Sequence, residues 1–116
     1  MSRCLEAGER IILEILLPAY GLPSDTFGPL DELVVEDMSD GGMGSFRVVS
    51  TVAERRMGSQ VAEGWYEDSD GVLVSVTINL DEYGALFELD SMKLNAMPRL
   101  RLPRVVDDVH VGSMPR

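Results

Sequence analysis

Apolar residues occupy every second position from Val72 to Leu80, namely Val72, Val74, Val76, Ile78 and Leu80, with Ser75, Thr77 and Asn79 between them. That is the period of a strand with one buried face. Asp81-Glu82-Tyr83-Gly84 then supplies turn chemistry, and Ala85 to Met92 returns as a second strand. The pattern predicts a β-hairpin at the centre of the fold. Setting Leu80 opposite Ala85 places Ile78 beside Phe87 and Val76 beside Leu89, while Thr77 meets Glu88 and Ser75 meets Asp90. A one-residue slip would press Glu88 against Ile78, so the apolar pairing is expected to prevail, with Phe87 and Leu89 buried and Glu88 and Asp90 on the opposite face.

Helical spacing governs the start of the chain. Leu5, Ile12, Ile15 and Leu16, with Leu13 alongside, share a stripe over Ser2 to Leu17, while Glu6, Glu9, Arg10 and Glu14 can face water. Ser2 is the expected cap, and Pro18 with Gly21-Leu22-Pro23 the expected stop. Residues 21 to 30 have no period and read as a loop. Strands are predicted over Asp31 to Met38, Ser45 to Ala53 and Gln60 to Glu67, with turns at Ser39 to Gly44, Glu54 to Ser59 and Asp68 to Gly71. Prolines 98 and 103 bracket the alternation of Arg99-Leu100-Arg101-Leu102 and confine it to an edge or a docked extended segment. The expected fold is therefore α+β, an N-terminal helix on a five-stranded antiparallel β-meander with an extended C-terminal segment. Residues 1–104 form the single domain in this reading, and residues 105–116 a loosely ordered tail.

Charge changes the picture more than composition does. The net charge is −10, and of the twenty carboxylates only Asp107 and Asp108 follow residue 92, whereas Lys93, Arg99, Arg101, Arg104 and Arg116 all do. An acidic body with a basic tail disfavours nucleic acid and suits a cationic protein partner. No apolar run is long enough to span a bilayer, Glu6, Glu9 and Glu14 interrupt any secretion signal, and the single Cys4 fits a reducing compartment, so cytoplasmic residence is expected with no membrane association.

Each chemical motif has an ordinary explanation. Gly41-Gly42-Met43-Gly44-Ser45 resembles a phosphate loop but leads into a strand, with only Arg47 nearby. Asp68-Ser69-Asp70-Gly71 fails the calcium-loop pattern and reads as a turn. His110 lies in the terminal segment without a nucleophile elbow, and Cys4 has no adjacent base. Trp65 is expected to fill the core. No catalytic residue, metal ligand or cofactor is assigned. Glu88 and Asp90 share a face and are expected to be solvated or paired with Arg99 and Arg101. With Thr77, Asn79 and Arg47 they make up the candidate interaction surface.

Three stretches also carry a resemblance. The helix segment Leu5 to Ile12, the run Asp40-Gly41-Gly42-Met43-Gly44-Ser45, and Leu80-Asp81 through Gly84 with Phe87-Glu88-Leu89-Asp90 resemble a family of small uncharacterised bacterial domains over most of residues 5 to 102. Ser91-Met92-Lys93 departs from the aromatic residue anticipated after the acidic pair. The resemblance implies no activity, only a role of the kind played by immunity proteins beside bacterial toxins. A non-enzymatic protein-binding module is thus the leading expectation. The alternative is a small-ligand-binding protein or enzyme with its site on the polar face of the sheet, and a homodimer through a sheet edge is compatible with either.

Overall fold

Glu6, not Ser2, begins the helix, for a local reason. In the computed structural model, which describes residues 1–115, the Glu6 amide donates to Glu9 Oε1 at 2.8 Å, and Glu9 also takes the Arg3 guanidinium at 2.6 Å. That bond from the cap residue to the third helical residue starts helix α1 at Ala7, and it runs to Ala19. The residues before it are extended: Ser2–Cys4 is strand β1, with Arg3 paired across to Val35 and bonded to Asp37. Pro18 lies inside the last turn and the helix closes two residues beyond the expected stop, because proline removes only its own N–H from the ladder.

The sheet has seven strands rather than the expected five. After β1 come β2 (Val34–Asp37), β3 (Phe46–Val48), β4 (Met57–Glu67), β5 (Leu73–Asp81), β6 (Leu86–Lys93) and β7 (His110–Val111). Their spatial order is β1-β2-β3-β6-β5-β4-β7, with every pairing antiparallel. The simple meander is therefore corrected to two consecutive triplets, β1-β2-β3 and β4-β5-β6, joined where β3 meets β6. Residues 49–56 make the crossover, which is why the strand predicted over Ser45 to Ala53 stops at Val48. Arg55 anchors that crossover, bonding Asp81 at 3.2 Å, the Leu86 carbonyl at 3.3 Å and the Val48 carbonyl.

The central hairpin forms, but its register is displaced by two residues. Ile78 sits opposite Leu89, Thr77 opposite Asp90 and Asn79 opposite Glu88. Two single-residue offsets produce this. The first is the turn: Asp81 and Ala85 close a three-residue loop, with Gly84 at φ +82° and the Asp81 carboxylate accepting the Tyr83 and Ala85 amides. The second is a bulge between Leu80↔Leu86 and Asn79↔Glu88, in which Phe87 is the extra residue. One offset alone would exchange the faces; two restore them, so Leu89 points inward and Glu88 and Asp90 outward as the apolar pattern demanded. Phe87 is buried, yet it lies outside the contiguous core, with the Arg47 and Arg55 guanidiniums 4.6 and 5.1 Å from its ring centroid.

Helix α1 covers the face that carries Val74, Val76, Ile78 and Leu89, burying Ile12, Leu13, Leu16 and Leu17 against it. Gly64 permits the approach, since a Cβ there would stand 2.6 Å from both a Leu16 methyl carbon and the His110 carbonyl oxygen. Beside the helix the segment 98–103 is docked and extended. Pro103 is buried, and its carbonyl oxygen would lie 2.7 Å from a Cβ placed at Gly8. Residues 105–115, expected to be a loose tail, contain a 3-10 turn at Val106–Asp108 followed by β7, which pairs with β4 at Gly64 and Trp65. Arg116, counted among the cations of that tail, is outside the described residues.

Gly64→Ala should destabilise the protein by about 1–3 kcal/mol through overpacking, although alanine outranks glycine for intrinsic backbone preference. Urea unfolding of the two proteins checks this; equal or greater stability for the variant would show that the helix does not sit this close.

Candidate functional site

The five residues of the candidate surface all stand on three adjacent strands, β3, β6 and β5, on the face away from α1. Arg47 Nη2 lies 3.1 Å from Glu88 Oε2, and Asn79 Nδ2 donates to Glu88 Oε1 at 3.0 Å. Asp90 accepts the Ser45 hydroxyl at 3.2 Å and sits opposite Thr77. Glu88 thus pairs with Arg47, not with the basic segment as expected; Arg99 approaches Glu6 instead, at 3.9 Å. The reason is the β3–β6 pairing, which sets Arg47 directly opposite Glu88.

Strand register orders the rest of this face into rows. Met92, Ser75, Trp65 and His110 lie side by side across β6, β5, β4 and β7, and the adjacent row holds Asp90, Thr77 and Glu63. Trp65 does not fill the core. It is half-buried and stacks on the His110 ring at 4.1 Å between centroids, 20° from parallel. The period of β4 carries the signal, because Ala62, Gly64 and Tyr66 face the helix and Trp65 must therefore face away.

The other end of the sheet is held by a residue that the sequence marks only as part of a basic tail. Lys93 is 1% exposed, and its ammonium donates to Asp70 at 2.7 Å and to the Pro98 carbonyl at 3.4 Å, with Asp68 at 3.0 Å. Burial works against that charge, but the bonds to Asp70 and Asp68 outweigh it and raise the lysine above its ordinary range. Asp68 in turn accepts the amides of Ser69, Leu100 and Arg101 at 2.7, 2.8 and 3.0 Å. Desolvation pushes its carboxyl up; the Leu100 amide, the Lys93 ammonium and the other two amides prevail and hold it down at about 2. The Asp68 to Gly71 turn is therefore a turn, as expected, with its two carboxylates committed to one lysine. Neighbouring Tyr66 is buried, its hydroxyl has no hydrogen-bond partner of ordinary geometry among the described residues, and desolvation raises it to about 12 against the pull of nearby Arg99 and Ser91.

Clefts open at two further places, the second of them against the Asp68 turn. A cleft of 520 Å³ opens between Phe27, Leu33, Val48 and Tyr83, and one of 460 Å³ between Glu67, Arg101, Asp107 and His110. Among the described residues no three His, Cys, Asp or Glu side chains converge as metal ligands, and no helix is long and apolar enough to cross a membrane.

Two outcomes follow from the lysine cluster. An unfolded aspartate titrates near about 3.9, above the folded value of Asp68. As pH falls, protons therefore bind the unfolded chain first, and the Asp68 contribution, complete above about pH 4, is lost on the way down to about 2. Thermal melts across this window should show the loss, and Asp68→Asn should start less stable and fall less steeply; a parallel profile would contradict the assignment. Tyr66→Phe deletes a buried hydroxyl with no partner among the described residues, so its stability should match the parent or exceed it by up to about 1 kcal/mol. A loss larger than that would mean the hydroxyl is bonded.

Comparison with curated proteins and with solved structures returned no match. A family profile does match, over residues 2–103, which includes β1 through β6, the lysine cluster and the docked segment as far as Pro103. The chain belongs to the family described as a domain of unknown function, DUF6984.

Proposed function

We propose that this domain is a non-enzymatic protein-binding module for a cationic protein, acting in the manner of an immunity-type inhibitor. The observation that supports it is how its carboxylates divide. Glu9, Asp68 and Asp81, buried in the fold, each meet an arginine or lysine. On the outward face Glu63, Glu67 and Asp90 meet none among the described residues. The negative charge left over is therefore displayed and not consumed by folding, which favours encounter with an opposite charge and repels phosphate backbones. Arg47, Thr77, Glu88 and Asp90 belong to that outward face, and Asn79 lies buried beneath it, bonded to Glu88. Cytoplasmic residence is part of the reading, since the exposed thiol of Cys4 persists in a reducing compartment.

Affinity capture from the native host's lysate should retain a basic protein at low ionic strength and release it near 0.5 M salt, where the screening length falls to about 4 Å. Recovery of nothing at low salt, or of a partner indifferent to salt, would set the proposal aside.

A further inference from the structure

The outward face is not uniformly polar, and its apolar part is localised. Met92 and Leu94 are each 58% exposed at the end of β6. Beside them on β5 and β4 lie the half-buried Leu73 and Trp65, with Leu73 bonded through its carbonyl to the Leu94 amide. At about 4.8 Å between strands, Met92 and Trp65 are separated by about 10 Å with only Ser75 between them. The patch is bounded by Asp90 and Glu63 on one row and by Glu67, opposite Leu73, on the other. His110 of β7 covers one face of the Trp65 ring, and no other described element packs over the patch.

We infer that this patch, which includes Trp65, is the docking surface, and that its occupant is an amphipathic helical segment of a protein, presenting apolar side chains on one face flanked by Lys or Arg. The inference rests on the protein-binding reading above and deepens it by assigning the face and the chemistry of the partner. Apolar side chains of the segment lie on Trp65, Leu73 and Met92, and its cations reach Glu63, Glu67 and Asp90, none of which has an ion-pair partner among the described residues. A second copy of the chain fits less well. With a net charge of −10 on each copy, face-to-face association would set these carboxylates against one another. Nucleic acid would supply the wrong sign as well.

Trp65 is the only tryptophan, so its emission reports directly on occupancy. The probe is a synthetic lysine–leucine peptide patterned as an amphipathic helix, with a glutamate–leucine peptide of the same pattern as its counterpart, titrated at low salt. The lysine peptide should shift the Trp65 emission and saturate; the glutamate peptide should not. Met92→Ser should weaken binding by about tenfold or more through loss of an apolar contact, and Glu67→Lys by as much, because a charge reversal at the border sets like charges against each other. Glu32→Lys, which makes the same charge change as Glu67→Lys on an exposed 3-10 turn, should weaken it by no more than about twofold. Each variant's circular dichroism melt verifies folding. Equal losses from Glu67→Lys and Glu32→Lys would overturn the face while leaving a cationic partner in place. No binding of the lysine peptide at low salt would overturn the inference outright, and the lysate capture decides the broader reading on its own.

Discussion

One ammonium group fastens the docked C-terminal segment to the end of the central sheet. Lys93 ends β6, Asp68 and Asp70 form the turn between β4 and β5, and Pro98 begins the docked segment; all of them converge on the same nitrogen. A buried charge is tolerable only when its partners are complete, and here three acceptors meet the three donors of the ammonium. Asp68 is equally committed, with three backbone amides besides the lysine. The docked segment is thus held by backbone groups of Leu100 and Arg101, which leaves their side chains free to vary. Arginine at 99 and 101 need not form a basic patch for the segment to find its place.

Much of the architecture was legible because it depends on local period. The alternation of Val74, Val76 and Ile78, and the helical spacing of Ile12, Leu13 and Leu16, identify the surfaces that meet in the core. Where reading failed, the determinant lay in another part of the chain. β1 and β7 are three and two residues long, too short for any period, and exist because β2 and β4 offer unpaired edges. The Phe87 bulge is invisible to a rule that counts alternation, since it arises from compensation for an odd-length turn. Lys93 was readable in principle: it shares the inward parity of Leu89 and Ser91, and a cation at such a position requires acids nearby. Strand period alone places Thr77, Asn79, Glu88 and Asp90 on one face, but that Arg47 joins them there and neutralises Glu88 required the β3–β6 pairing.

The carboxylates divide into two populations with different physical roles. One population is internal and directional, fixing backbone turns and paired cations, as Asp81 does for the Tyr83 and Ala85 amides and for Arg55. The other is external and contributes a field. A chain with this net charge folds because its buried acids are matched individually, so that the excess remains where water screens it. The same partition explains why the outward face accommodates a tryptophan: its ring is half covered by His110 and needs no place in the core.

The join between β3 and β6 is short. It holds two registered positions, Phe46↔Leu89 and Arg47↔Glu88, whereas β4, β5 and β6 share a ladder many residues long. Cooperative units separate along lines of few shared contacts, so the β1-β2-β3 edge is the part of the sheet that opens at lowest free energy. Amide protons of β5 would then exchange with solvent only when the whole molecule unfolds, while those of β2 and β3 exchange through a smaller excursion. Breathing is thereby confined to one side of the molecule, and the strands that carry Trp65, Thr77 and Asp90 remain a rigid plate throughout.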